Sequence, residues 1–477
     1  MGGLDPMGWL VLFVAGLAIM LSLRFPVAIA LLVVSAIGAV ILYGFGPGIE
    51  MTVVSMVSGL ATFTLTAIPM FILMGELFFR SGLAFDAIAA VERGLKRLPG
   101  RLAFISVGMG ALLGVLSGSV MASTAMLGGT LVPEMARRGY SPRLAVGSVL
   151  GSGGLAMILP PSTVVIVWGA TAGVPVGPLL IAGILPGIAM AIGYAIVVAV
   201  WAYFFGGAER PSRRAGASLR PSAPGGPAPA GEASGAPGGA LLTRAKTTAA
   251  ALATASSPAE KQGSLVSLFG MLTIIVGVLL LILFGIATPT EAAAVAVGAT
   301  VLLLVVFRRL TRAVLVEAFK HTLLATGMIF LIIASAAIYG RVLAGSGSVT
   351  AFVEFITGLT GNPTLLLVIM LVIVIILGLF LESIAIVLLT IPLFMPIVAV
   401  AGFDPIWFGI IMIVAIQIGT VTPPFGMSLF VIRQYAPTSM TMGDIYKSAL
   451  PFIASDLLVI AILIAVPGIV TLLPSLM

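Results

Sequence analysis

The residues best suited to chemistry in this sequence are small hydroxyls, a carboxylate and two proline doublets, all set inside long apolar runs. The first cluster is LSGSVMAST (116–124), which supplies Ser117, Gly118, Ser119, Ser123 and Thr124. At the tip of a membrane hairpin, hydroxyls and free carbonyls can replace the water shell of a sodium ion. The helix N-terminus that follows would present N–H groups to an anion. Small residues also let helices pack closely, and alone the cluster favours that simpler reading. The second cluster is GSGGLAMILPPST (151–163). Pro160 and Pro161 remove two N–H donors and disfavour helical geometry just before them. Carbonyls near 156–159 then need an ion, a water or a neighbouring helix. Ser162 follows directly. A plain kink is the competing reading, but the doublet recurs as Pro423–Pro424 in QIGTVTPPFGMSLF (417–430), beside Gly419, Thr420 and Thr422. Two unrelated kinks need not match. The last cluster is Glu382–Ser383 in GLFLESIAIV. A carboxylate at that depth is expensive and is by default a functional candidate. Glu382 could be a proton carrier; cation ligand and structural acceptor of backbone N–H groups are favoured equally.

Spacing ties these clusters together. Ser119 lies 41 residues before Pro160, and Glu382 lies 41 before Pro423. An offset of 263 pairs Pro26 with Pro289, Pro133 with Pro396, Pro142 with Pro405, Gly139 with Gly402, and one proline doublet with the other. With 30 prolines in 477 residues, about one proline match per offset is expected by chance. A hydrophobic chain built as two copies of one unit, each broken at the same place, is the pattern of a secondary transporter.

The elements that must position these residues are membrane helices. Apolar residues make up 60% of the chain and charged residues 8%, with a mean hydropathy of +1.26. A soluble domain carries roughly 25% charged residues, so this chain could not cover a water-facing surface. Its apolar runs have the length of membrane-crossing helices, and a β-barrel would show short alternating segments instead. Spans are expected near 7–23, 27–43, 57–80, 144–170, 178–206, 265–286, 290–307, 321–344, 406–433 and 449–473. Segments 102–136 and 364–400 are too long for one crossing and carry the small or charged clusters at their middles. Both read as re-entrant hairpins, whose tips are tolerated at depth only inside protein or a cavity.

Lys and Arg cluster between spans. With residue 1 outside, nearly all of them fall inside and only Arg341 falls outside, the positive-inside pattern. The first hairpin then enters from the cytoplasm and the second from the periplasm, so the repeats are inverted. The expected division is 1–206 for the first repeat, 207–264 for a Gly/Pro/Ala/Ser-rich disordered connector, and 265–477 for the second repeat. The charge distribution argues against a nucleic-acid partner despite a pI near 10. The N-terminus reads as a retained first span rather than a signal peptide. Segments 84–98, 308–320 and 348–361 read as short surface helices.

Other charges look structural. Glu76 and Arg80 form a helix pair. Thr288-Pro289-Thr290-Glu291 is a capping box. His321, the single histidine, sits beside Lys320 at the membrane edge. Asp456 lies in the last span with no role legible from its neighbours. No Walker motif, Cys/His metal cluster or nucleophile–base set is present, and cysteine is absent. These absences argue against an ATPase or a typical membrane hydrolase, no cofactor is expected, and the chain is read as a non-enzyme.

At these residues the chain resembles the large membrane subunit of TRAP transporters, the tripartite ATP-independent periplasmic family. The resemblance rests on AIPMFILMGELFFRSG (67–82), GVLSGSVMASTAMLGGTLVPEMARRGYSP (114–142) and LPPSTVVIVWGATAGVPVGPLLIAGILPGI (159–188). In the second half it rests on FGIATPTEAAAVAVG (284–298), LGLFLESIAIVLLTIPLFMPIVAVAGFDP (377–405) and IGTVTPPFGMSLFV (418–431). It implies an all-α, elevator-type fold of two inverted repeats in the bacterial inner membrane, coupled to a sodium gradient. It implies a small four-span membrane partner and a periplasmic binding protein that delivers an organic anion, a dicarboxylate among the options. The family's hairpin tips map onto Ser117–Ser119 and Glu382–Ser383, and its broken spans onto Pro160–Ser162 and Thr422–Pro424. Two features depart from the pattern: the long connector, and the lack of an acidic residue soon after the first tip. The alternative reading is a self-sufficient dicarboxylate or citrate carrier of the same plan.

Overall fold

The computed structural model describes residues 5–94, 100–204 and 260–477. All regular structure among the described residues is helical. An outer group comprises α1 (Pro6–Ser22), α2 (Val27–Tyr43), α3 (Phe45–Leu60), α4 (Ala67–Arg80) and α5 (Leu83–Gly94). It continues with α13 (Glu260–Leu283), α14 (Pro289–Val306), α15 (Arg312–Gly345) and α16 (Ser348–Leu359). An inner group comprises α6 (Arg101–Ser117), α7 (Val120–Arg137), α8 (Pro142–Gly153), α9 (Leu155–Ile158), α10 (Thr163–Ala172), α11 (Val176–Ala182) and α12 (Ile184–Phe204). It is completed by α17 (Pro363–Gly378), α18 (Ser383–Ala401), α19 (Pro405–Val421), α20 (Met427–Arg433), α21 (Met442–Ala465) and α22 (Gly468–Thr471). Among the described residues, eight segments are long and apolar enough to cross a membrane.

Five helices start on one local device: a polar N-cap followed by proline at the first helical position. The caps are Asp5, Ser141, Thr288, Asn362 and Asp404, each accepting a backbone N–H of its own first turn. Two of these starts, Ser141–Pro142 and Asp404–Pro405, stand at the 263-residue offset. The capping box at Thr288 and Glu291 forms as expected, with Thr288 N donating to Glu291 Oε2 at 2.8 Å.

Burial separates the two groups. The best membrane window of the α8–α10 span is 94% buried inside the protein, and that of α14 only 28%. The broken span is therefore core, while the outer helices present apolar side chains outward. Lipid tails supply little hydrophobic drive between helices, so packing rests on small residues and polar contacts. A Cβ at Gly114 of α6 would lie 2.5 Å from Ala156 Cα, and one at Gly378 of α17 would lie 2.7 Å from Gly419 Cα. The first arm of each hairpin thus touches its own half's broken span almost backbone to backbone. Trp168 of α10 is fully buried against Gly409 of α19, and Trp407 Nε1 donates to Leu463 O at 2.9 Å.

Several element boundaries differ from expectation. The 57–80 span is two elements: α3 ends at Leu60, a short 3₁₀ turn covers Phe63–Thr66, and α4 follows. The apolar run continues across Ala61–Thr62, so hydropathy could not mark the break. Helix α3 also fills most of the interval that the expected spans leave between 43 and 57, where Gly46, Pro47, Gly48 and Glu50 interrupt the apolar run. The 308–320 surface helix is instead, from Arg312, the start of α15. Nothing in its 34 residues breaks a helix. Its length of roughly 50 Å exceeds the hydrocarbon core, so it extends into water or tilts. Helix α13 begins at Glu260, inside the last residues of the 207–264 connector; connector residues 207–259 lie outside the described residues. The surface helices expected at 84–98 and 348–361 are present as α5 and α16, and residues 95–98 of the first are not described.

Candidate functional site

The first tip is a glycine turn. Gly118 closes α6 with φ +58°, and Ser119 caps α7, its Oγ accepting from Ala122 N at 3.4 Å. A Cβ at Gly118 would stand 2.5 Å from Thr163 Oγ1. Only glycine lets this tip press on the N-terminus of α10, just past the first proline doublet.

At the second tip Glu382 caps α18, its Oε2 accepting from Ile384 N at 3.1 Å. The structural-acceptor role is therefore present. Ser383 is buried, and its Oγ reaches Met157 Sδ of α9 at 3.9 Å. The second tip thus touches the first broken span.

Both proline doublets contain a cis bond. The two breaks differ in how their carbonyls are treated. At the first break, Ser162 is buried; its Oγ donates to Met157 O at 2.5 Å and accepts from Val165 N at 3.4 Å. The hydroxyl supplies the donor that Pro161 cannot. At the second, the residue equivalent to Ser162 is Phe425, which has no hydroxyl. The Thr420 carbonyl, whose helical donor would be Pro424, receives no such bond from that position. Thr420 Oγ1 instead donates to Gln417 O at 2.8 Å, Thr422 Oγ1 to Ile418 O at 2.6 Å, and Tyr446 OH to Pro424 O at 2.9 Å.

Tips and breaks meet at a small cavity. Ten of its twelve lining residues form five pairs: Gly118 with Leu381, Ser119 with Glu382, Val120 with Ser383, Met157 with Thr420, and Val164 with Met427, each 263 apart. The space open to the centre of a water molecule is about 20 Å³. That suits one water or a small ion and not an organic anion. Among the residues singled out in the sequence, Gly118, Ser119, Glu382, Ser383 and Thr420 line it. Pro160, Pro161, Ser162, Gly419, Thr422, Pro423 and Pro424 do not line it; they shape the two breaks beside it. Ser123 and Thr124 are buried one turn further along α7. The side chain of Ser117 lies outside the described residues.

Seven lining residues escaped the sequence reading: Val120, Met121, Met157, Val164, Leu381, Met427 and Ser428; the offset from Ser383, Thr420 and Gly118 pointed to Val120, Met157 and Leu381. Gln417 escaped too. It is 1% exposed, its Nε2 has no partner, and a Cβ at Gly154 would lie 2.1 Å from that atom. Gly154 and Gln417 are themselves 263 apart. Thr124 Oγ1 is likewise buried without a partner, and a Cβ at Gly153 would lie 2.4 Å from it. The available signal for Gln417 was an amide inside an apolar run.

Comparison with known proteins places this geometry. Residues 14–469 match the family model of the tripartite ATP-independent periplasmic transporter, DctM component. The chain is 31% identical over 418 residues to the C4-dicarboxylate TRAP transporter large permease protein DctM of Pseudomonas aeruginosa, covering 87% of this chain and 86% of that protein. It is 27% identical over 472 residues to the sialic acid TRAP transporter large permease protein SiaM of Vibrio cholerae, covering 98% and 97%. Its fold resembles the solved MtrF of Neisseria gonorrhoeae, with a TM-score of 0.58, 16% identity and coverage of 97% and 95%. The chain belongs to the DctM family of TRAP transporter large components, and it is a multi-pass membrane transporter subunit rather than an enzyme.

Proposed function

We propose that this DctM-family chain imports an organic carboxylate by sodium symport, as the large membrane subunit of a tripartite system in the bacterial inner membrane. The observation that carries the reading is the cavity lined by five pairs of equivalent positions from the two halves. A site built this way lies on the relation between two repeats, where transporters place substrate and coupling ion. The oxygens at its edge are hydroxyl, carboxylate and backbone carbonyl, the hard donors a sodium ion takes. Ser119, Glu382, Ser383 and Thr420 are the ligands of first choice. Helices α7, α10 and α18 begin beside the cavity, and their N-termini favour the carboxylate of the substrate. The cavity itself admits only the ion, so the anion binds against the outer side of the tips.

In this reading the inner group of helices moves as one body against the outer group, an elevator, and the halves are inverted repeats with residue 1 on the periplasmic side. A small membrane subunit and a periplasmic binding protein complete the system. The relatives named for C4-dicarboxylate and for sialic acid carry different acids on one plan, which suits a design in which the binding protein selects.

Reconstitution tests this. The chain alone in proteoliposomes should give no uptake under an inward sodium gradient, and the small subunit with the loaded binding protein should restore it. Uptake by the chain alone would favour a self-sufficient carrier. Uptake indifferent to sodium would remove the coupling.

A further inference from the structure

Asp456 takes no part in the cavity. It lies on α21 and is 1% exposed. Its Oδ1 accepts a hydrogen bond from the hydroxyl of Tyr194, on α12, at 2.6 Å, and Tyr194 is fully buried. Its Oδ2 is buried and has no hydrogen-bond partner.

The helices around the pair offer no cation. On α12 the other titratable residue is Tyr203, exposed at the far end. On α21 they are Asp444, Tyr446 and Lys447, all in its first two turns. Helix α8 carries only Arg143, at its start, where it binds Asp444 at 2.7 Å. Helix α6 carries only Arg101, its first residue, and α20 only Arg433, which donates to Met440 O. Helices α9, α11, α19 and α22 carry none. An ionised carboxylate left in such surroundings is costly.

We propose that Asp456 is a proton-binding site, with the proton on Oδ2 and the Tyr194 hydroxyl on Oδ1. The pair joins two helices that both clamp the first broken span. A Cβ at Gly187 of α12 would lie 2.5 Å from Leu159 Cδ2, and one at Gly151 of α8 would lie 2.3 Å from Phe452 of α21. Loss of the proton leaves a bare charge between α12 and α21. Those helices must then part or admit water, and the α9–α10 break feels the change. Proton occupancy is therefore transmitted to the ion site without any shared ligand.

The test is thermal unfolding of the purified full chain in detergent from about pH 5 to about pH 9, wild type against Asp456→Asn. The amide keeps the shape of the neutral acid and does not titrate. A carboxyl protonated when folded and free when unfolded contributes stability that is whole below about pH 4 and declines as pH rises, levelling off once the folded protein releases its proton. The wild-type midpoint should therefore fall with pH relative to Asp456→Asn. The infrared band of a protonated carboxyl should be present in wild type and lost in Asp456→Asn. Parallel melting curves with an unchanged band would overturn the proposal. If Asp456→Asn does not fold, Tyr194→Phe decides. It removes a donor that favours the ionised form, so the decline should extend to higher pH, and an unmoved decline overturns the proposal.

Discussion

At the scale of single residues, the site is distinguished by which residues line the cavity. Thr420 and Thr422 both donate their hydroxyls within their own helix, to Gln417 O and Ile418 O, but Thr420 lines the cavity with Ser119 and Thr422 lies off it. Ser119→Ala and Thr420→Ala should each raise the sodium concentration for half-maximal uptake, by on the order of tenfold for a lost ligand worth 1–3 kcal/mol. Thr422→Ala should move it less, and uptake measured across a sodium series checks the order. Glu382 combines a helix cap with a candidate ligand. Glu382→Gln retains an oxygen that can accept from Ile384 N, so its melting temperature should stay near wild type, while Glu382→Ala loses about 1 kcal/mol. If the charge matters for the ion, the Gln variant should still require more sodium. A melting curve and a sodium titration on the same preparation separate the two roles. Ser162 belongs to structure: Ser162→Ala leaves the Met157 carbonyl without its 2.5 Å donor and should cost about 1–3 kcal/mol.

At the scale of elements, the breaks work because neighbouring helices come close enough to hold them. The contacts of Gly114 with Ala156 and of Gly378 with Gly419 put each hairpin arm against its own broken span. Gly419→Ala places a methyl 2.7 Å from backbone that cannot rotate away. It should destabilise by about 1–3 kcal/mol and loosen the second tip from its break. Gly298→Ala on α14 meets nothing within 4 Å, and its melting temperature should match wild type or exceed it. Equal effects from the two substitutions would show that the close approach is not what holds the tip.

At the scale of the whole molecule, the outer helices present apolar side chains outward and the broken spans sit inside, a division the proposed elevator would use. Ionic contacts at one edge of the outer group tie its two halves together. Arg80 donates to Glu317 at 3.1 Å and Arg309 pairs with Asp86 at 2.8 Å. The composition of the connector segment supplies no apolar face, and long loops cost little to close. Replacing 212–258 with a short Gly/Ser linker should therefore leave membrane assembly and uptake near wild type. A stably assembled variant that fails to transport would assign the segment a docking role.

The sequence by itself determined the material and the positions of the breaks. Composition forced membrane helices, because so few charges cannot cover a watery surface. Proline is read without tertiary information, because it removes an N–H and fixes φ wherever it stands. So the doublets, the capping box at Thr288, and the matched spacing of tips and breaks were legible in one dimension. Helix α3 and the unbroken length of α15 were not, because hydropathy is blind to a break inside an apolar run and to helix continuity across charged turns. Only the tertiary structure decided which oxygens meet. Ser383 approaches Met157, and Gly154 lies against Gln417, across hundreds of residues. The fold decided that Ser119 and Thr420 line the cavity while Ser162 and Thr422 lie off it, although Thr420 also donates its hydroxyl to its own helix. The pairing of Asp456 with Tyr194 was beyond any reading of the last span alone, since its meaning depends on a second helix brought within 2.6 Å.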